Sequence, residues 1–172
     1  MPEKLDERDI SILHLLQMNC KIPTSELSRR VYLSRSAVEK KVIRLERLGY
    51  IKRYKAVIDK VKVNKRFLCY MQIELSDCSN KCINMLREFI GSINAVVNAF
   101  TVSGPFDFLV YVATANKESY LEIYTQMLNL EGVKSVRSFV VIEELKEANF
   151  VDLADLMRKF KYDFPKDWDK LD

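Results

Sequence analysis

The chain has 172 residues, 48% of them hydrophobic and 30% charged, with a formal net charge of +4. That is room for one ordinary domain or two small ones; no run approaches the ~20 apolar residues of a membrane span, and no signal peptide is evident, so a cytoplasmic protein with no membrane partner is expected. The charge is divided: residues 1–66 hold 17 Lys+Arg against 8 Asp+Glu and the remainder 11 against 16, a basic front end on an acidic body.

The spacing predicts a first helix from Asp6 to Asn19, with Ile10, Leu13, Leu16 and, beside them, Leu15 turned toward neighbouring helices. His14 sits in this apolar run and reads as a packing residue. Pro23 ends the region, and Thr24 or Ser25 opens a second helix reaching about Tyr32. A break at Leu33-Ser34 follows, and Ser34 is a suitable N-cap for a third helix. There Val38, Val42, Leu45 and Leu48 recur every three or four residues as one apolar stripe. At about 100° per residue, Ser36, Lys40, Ile43, Arg44 and Arg47 fall opposite that stripe, with Glu39 and Glu46 toward the flank. Two short helices about a tight break, the second with an outward cationic face, are the layout of a helix-turn-helix.

Such cations displace counterions from phosphates and give salt-sensitive affinity, while specificity needs side chains that reach base edges. Ser36, Lys40 and Arg44 are therefore expected on bases, and Arg35 and Arg47 on phosphates. After Gly49, YIKRYKAVIDK reads as a strand. As a wing it would place Lys52, Arg53 and Lys55 on phosphates; as an ordinary linker strand it would not.

Beyond Lys65 the period changes. RFLCYMQIEL reads as a strand and NKCINMLREFI as a helix, then VVNAFTVSG and DFLVYVATA as two strands joined around Gly104-Pro105. KESYLEIYTQMLNL is a further amphipathic helix and VKSVRSFVVIEEL a last strand. The expectation is an α+β protein: an N-terminal winged helix-turn-helix, then a ferredoxin-like βαββαβ domain, then a C-terminal helical extension. The domains are drawn at residues 1–65, 66–146 and 147–172. One face of the sheet needs covering, for which a second subunit is economical. In the tail, Phe150, Leu153, Ala154, Met157 and Phe160 recur at helical spacing, as a cap on the chain's own sheet or an arm docking on a neighbour. Cys78 and Cys82 could share a helix face, but with one histidine in the chain reduced thiols are expected rather than a zinc site. No phosphate-binding glycine loop or nucleophile elbow is present, and no cofactor is expected.

Taken together, LDERDISILHLLQ, ELSRRVYLSRSAVEKKVIRLERLGYI, SGPFDF and VVIEELK resemble the Lrp/AsnC family of transcription regulators over residues 5 to about 146. The resemblance implies a DNA-binding regulator tuned by a small effector, an amino acid, and assembled as a homodimer or a higher homo-oligomer, a tetramer or octamer. On two-fold symmetry it implies double-stranded DNA with a pseudo-palindromic site and half-sites about one turn, ~34 Å, apart. It also implies an effector turn at Ser103, Gly104, Phe106 and Asp107, with Asp107 for the ammonium and Ser103 and Gly104 for the carboxylate. Many relatives carry an acidic residue where this chain has Pro105, which removes an N–H and a charge. A ligand-independent DNA-organising protein is the alternative. Siroheme decarboxylases resemble the same architecture but carry histidine-rich patterns, and this chain has one histidine, so the expectation is no enzyme.

Overall fold

A computed structural model of the chain describes residues 4–77, 79–146 and 151–160. It divides into two compact units, one formed by the chain up to Ala56 with the tail from Lys146, the other by Val57–Leu145.

The first unit opens with helix α1, Glu7–Met18. Asp6 caps it, accepting from the Asp9 N–H at 2.8 Å, while the Asp9 carboxylate accepts from the Asp6 N–H at 2.9 Å. This reciprocal box satisfies two backbone donors that the first turn leaves unpaired. Helix α2, Thr24–Val31, ends at Tyr32, whose φ of 54° is left-handed. The bond from Leu33 N–H to the Ser28 carbonyl closes that end at 3.1 Å and turns the chain into α3, Arg35–Arg47, capped by Ser34. Ile12, Leu15, Ile22, Leu27, Val31, Val38 and Leu45 form the core of this unit.

The buried stripe of α1 differs from the expected one: Ile12 and Leu15 are fully buried, whereas Leu13 and Leu16 are only half-buried. Ile10, Ser11 and His14 are buried as well, so the helix is enclosed on more than one side. The reason is the tail. Helix α6, Ala154–Arg158, packs on α1, and the Gln17 side chain exchanges two hydrogen bonds with the Val151 backbone, at 2.9 and 3.0 Å. The described tail thus braces the chain's own helix-turn-helix unit rather than its sheet. Phe150 lies outside the described residues.

Residues 51–66 form no strand. YIKRYKAVIDK runs exposed without a ladder partner and closes in a turn held by Lys65 N–H to the Lys60 carbonyl at 2.7 Å. Its alternating pattern is that of a strand, but without a neighbour to take its N–H and C=O groups no ladder forms.

The second unit is β1 (Phe67–Leu75), α4 (Asn80–Ser92), β2 (Val96–Thr101), β3 (Phe108–Thr114), α5 (Lys117–Leu128) and β4 (Val133–Val140). The four strands are antiparallel in the order β2-β3-β1-β4, the ferredoxin-like arrangement. Period-two alternation turns Cys69, Met71, Ile73, Val110, Val112 and Val136 inward onto Leu86, Ile90, Tyr120 and Met127 of the helices. Tyr70, Gln72 and Glu74 point the other way, opposite Phe139, Arg137 and Ser135 of β4. Cys69 and Cys82 are buried free thiols and Cys20 an exposed one; Cys78 lies outside the described residues.

Candidate nucleic-acid interface and effector site

In the first unit, α3 offers one exposed face. Ser36, Lys40, Ile43 and Arg47 are solvent-facing, Ile43 at 63% exposure, and Arg35 stands exposed at the first position of the helix. Lys52 and Arg53 are exposed in the segment that follows. Glu39 and Glu46 are also exposed, and Glu46 accepts a 2.7 Å hydrogen bond from the Tyr54 hydroxyl. The aromatic Tyr32 protrudes at the turn before α3, with the Arg8 guanidinium 5.7 Å over its ring.

Arg44, expected on the same face, is turned toward α1. Its guanidinium donates to Asp9 at 2.5 Å, and Lys41 one turn back donates to Asp9 at 2.9 Å and Asp6 at 2.6 Å. Asp9 is 0% exposed. Two cations of α3 are thus clamped by the same two carboxylates that cap α1. Sequence reading passed over this pair, although the D-x-x-D spacing at Asp6 and Asp9 is a capping signature open to inspection. Charge repeats the pattern on α2, where hydrogen bonds from Arg29 and Arg30 pull the Glu26 carboxyl down to about 2.

Burial works to raise the Asp6 carboxyl, but hydrogen bonds from Lys41 and the Asp9 backbone outweigh it and hold Asp6 below its ordinary value. Burial also works to lower Lys41, and the bonds to Asp6 and Asp9 outweigh that and raise it. A depressed carboxylate contributes stability present above its unfolded pKa and lost as pH falls through the folded value; a raised lysine contributes until pH climbs through its own folded value. The Asp6–Lys41 pair should therefore contribute in full between the ordinary aspartate and lysine values, about 4 and about 10, and lose its contribution in acid as pH falls through the lowered Asp6 value. Melting curves should show a shallower acid loss in Asp6→Asn than in the unaltered chain; identical acid limbs would remove Asp6 from the clamp.

In the second unit, residues 103–107 form a bend between β2 and β3. The four residues expected to line an effector site, Ser103, Gly104, Phe106 and Asp107, all lie in this bend, and their surroundings differ. Ser103 and Gly104 are exposed, with Gly104 at φ +149°. Asp107 turns to the sheet, where its carboxylate accepts from the Leu75 N–H at 2.8 Å and its backbone N–H donates to the Ile73 carbonyl at 2.9 Å. It thereby pins the bend to β1 at the register shift between Glu74 and Leu75. Phe106, with Pro105, borders a shallow depression completed by Gln72 and Glu74 of β1 and Ser135 and Arg137 of β4. Glu74 accepts from Lys134 at 2.6 Å and Ser135 at 3.2 Å, and the Lys134 bond, first among the causes, lowers its carboxyl pKa. Glu74 and Arg137 were not singled out from the sequence, yet alternation along β1 and β4 puts them on the face away from the core. Among the described residues no cluster of His, Cys, Asp or Glu is arranged to hold a metal ion, and no helix is long and apolar enough to cross a membrane.

Comparison with known proteins agrees with this division. The winged helix-turn-helix DNA-binding pattern matches residues 5–52, and the Lrp/AsnC ligand binding domain matches residues 68–150. The chain is 33% identical to the leucine-responsive regulatory protein of Haemophilus influenzae over 150 residues, 87% of this chain and 90% of that one. It is 29% identical to the proline dehydrogenase transcriptional activator of Rhodobacter capsulatus over 87% of this chain and 97% of that one. A transcriptional regulator of Neisseria meningitidis, solved as its L-Met complex, superposes with a TM-score of 0.85 at 25% identity, covering 89% of this chain and 99% of its own. An AsnC family regulator of Agrobacterium tumefaciens superposes at 0.82 with 26% identity and the same coverage.

Proposed function

The chain belongs to the Lrp/AsnC family of transcriptional regulators, and from that premise we propose that it binds pseudo-palindromic double-stranded DNA as a homodimer or higher homo-oligomer under the control of an amino acid. What carries the DNA half is the exposed face of α3. Ser36 and Lys40 are assigned to base edges in the major groove, and Arg35, Arg47, Lys52 and Arg53 to phosphates. Residues 1–65 would serve DNA, 66–146 the effector and assembly, and within the extension 147–172 the described residues 151–160 would brace the first unit. Tyr70, Phe100 and Phe139, exposed on the outward sheet face, support pairing with a second subunit there. The relatives named above are regulators, which favours regulation over an enzyme on the same architecture, and a regulator of this kind works in the cytoplasm.

For the effector, the depression beside Phe106 supports an amino acid. It sets the Glu74 carboxylate and the Arg137 guanidinium on one surface, and a zwitterion presents an ammonium and a carboxylate to such a pair. Ser103 and Gly104 at the bend would close over it, with Asp107 holding the bend rather than the ligand. The Neisseria regulator's L-Met complex favours the same class. Pro105, which can donate no N–H, favours the second reading, a ligand-independent DNA organiser.

The test is a melting series of the full chain with each of the twenty amino acids. A ligand that binds only the folded state at 100 times its Kd stabilises it by about 2.7 kcal/mol, a shift of several degrees. A selective shift that disappears in Arg137→Gln is expected; flat curves with all twenty would transfer the reading to the DNA organiser.

A further inference from the structure

The cations of α3 fall into two sets that sequence does not separate. Arg35, Lys40 and Arg47 are exposed, whereas Lys41 and Arg44 reach back to α1 and end on carboxylates, with side-chain exposures of 21% and 24%. The anchor is Asp9, fully buried and fixed by its own hydrogen bond from the Asp6 N–H. A carboxylate so held can neither rotate away nor be replaced by water without leaving a buried charge unpaired.

We infer that Asp9, seconded by Asp6, is a specificity-determining positioning residue: it keeps Lys41 and Arg44 off the DNA phosphates and leaves the exposed face of α3 to make the contacts. The inference rests on α3 being the DNA-reading helix. Phosphate contacts add affinity to every sequence alike, whereas base contacts distinguish sequences. Each cation withheld therefore lowers non-specific affinity and leaves base contacts a larger share of the total. The two ion pairs also tie the middle of α3 to the first turn of α1, which sets the rotation at which Ser36 and Lys40 face outward.

The partition is read from the salt dependence of binding. The full chain is titrated with a random-sequence 30-base-pair duplex by fluorescence anisotropy over a range of salt, and log K is plotted against log salt. Each phosphate contact contributes about 0.9 to the slope. Arg47→Gln should flatten the slope by about 0.9 per engaged protomer, and Arg44→Gln, a change of the same charge on the same helix, should leave it unaltered. Asp9→Asn should steepen it by about 0.9 to 1.8 as one or both cations reach the backbone, and adding Arg44→Gln to Asp9→Asn should take back part of that gain. A merely structural role for Asp9 would weaken binding without steepening the slope. Equal flattening by Arg44→Gln and Arg47→Gln would overturn the inference even if Asp9→Asn failed to fold. Salt-independent or absent binding by the unaltered chain would instead take down the DNA reading, and this inference with it.

Discussion

Leu45→Ala should cost the helix-turn-helix unit about 2–5 kcal/mol, with loss of DNA binding as the visible consequence. Leu45 is 0% exposed and packs in the core shared by all three helices of the motif. Its removal takes away the transfer energy of the side chain and leaves a cavity that three short helices cannot close without moving α3. A unit of this size buries little surface, so a loss in that range approaches its whole stability. Ile43→Ala is the control two residues away: Ile43 is 63% exposed, and its truncation should move stability by no more than about 0.5 kcal/mol. The measurement is a denaturant titration followed separately in the two units, since a chain of two units need not unfold in one step. The effector unit's transition should stay where it is. Similar losses for Leu45→Ala and Ile43→Ala would contradict the packing described for α3.

Gly132→Ala is expected to be nearly as costly, in the other unit. Gly132 lies between α5 and β4 at a φ of +86°, a conformation that costs an L side chain about 1–2 kcal/mol. A methyl placed there would meet the Cys82 Sγ at 2.6 Å and its Cβ at 3.0 Å. Relieving that overlap means shifting α4 or the loop, an overpacking cost of about 1–3 kcal/mol. The Gly132 carbonyl also accepts from the Ser76 N–H and hydroxyl, at 2.9 and 3.2 Å, so the loop has little freedom to retreat. The sum is about 2–5 kcal/mol. The clash half can be separated from the backbone half: in Gly132→Ala/Cys82→Ala the sulfur is gone, and the double variant should be more stable than the two single losses added together predict. Strict additivity would show that the backbone conformation alone carries the penalty.

The assignment of function places different demands on the two halves of the molecule. Recognition of DNA needs little more than a rigid helix with the right side chains outward, and one unit supplies it. An amino-acid response needs a site whose occupation alters assembly, and the bend at residues 103–107 stands at the edge of the sheet face assigned to subunit pairing. By accepting the Leu75 N–H at 2.8 Å, Asp107 ties the bend to β1, an interior strand of that sheet.

Much of this protein is determined by local chemistry that a sequence displays. The period of 3.6 over Val38, Val42 and Leu45 marks α3 and its buried side; Ser34, Ser79 and Asn116 mark helix starts, and each side chain accepts from the backbone N–H three residues on. The period of two marks β1, a short apolar run marks β3, and the change of period near Lys65 marks the passage from one kind of domain to the other. Side-chain alternation is a property of each segment alone, which is why these elements are legible. Three matters were decided only in the folded chain. Residues 50–60 carry a strand pattern and form no strand, because a ladder depends on a neighbour and not on the segment. The tail lies on α1 because that helix has a second apolar side to cover, which the helix-turn-helix pattern does not announce. Arg44 carries a charge that the helix period turns outward and Asp107 one that the resemblance asks for, but each is held by a group far away in sequence, Arg44 by Asp9 and Asp107 by Leu75. A charge is written in the chain; whether it is spent inside the fold or left for a ligand is set by which distant group folding brings within about 3 Å of it.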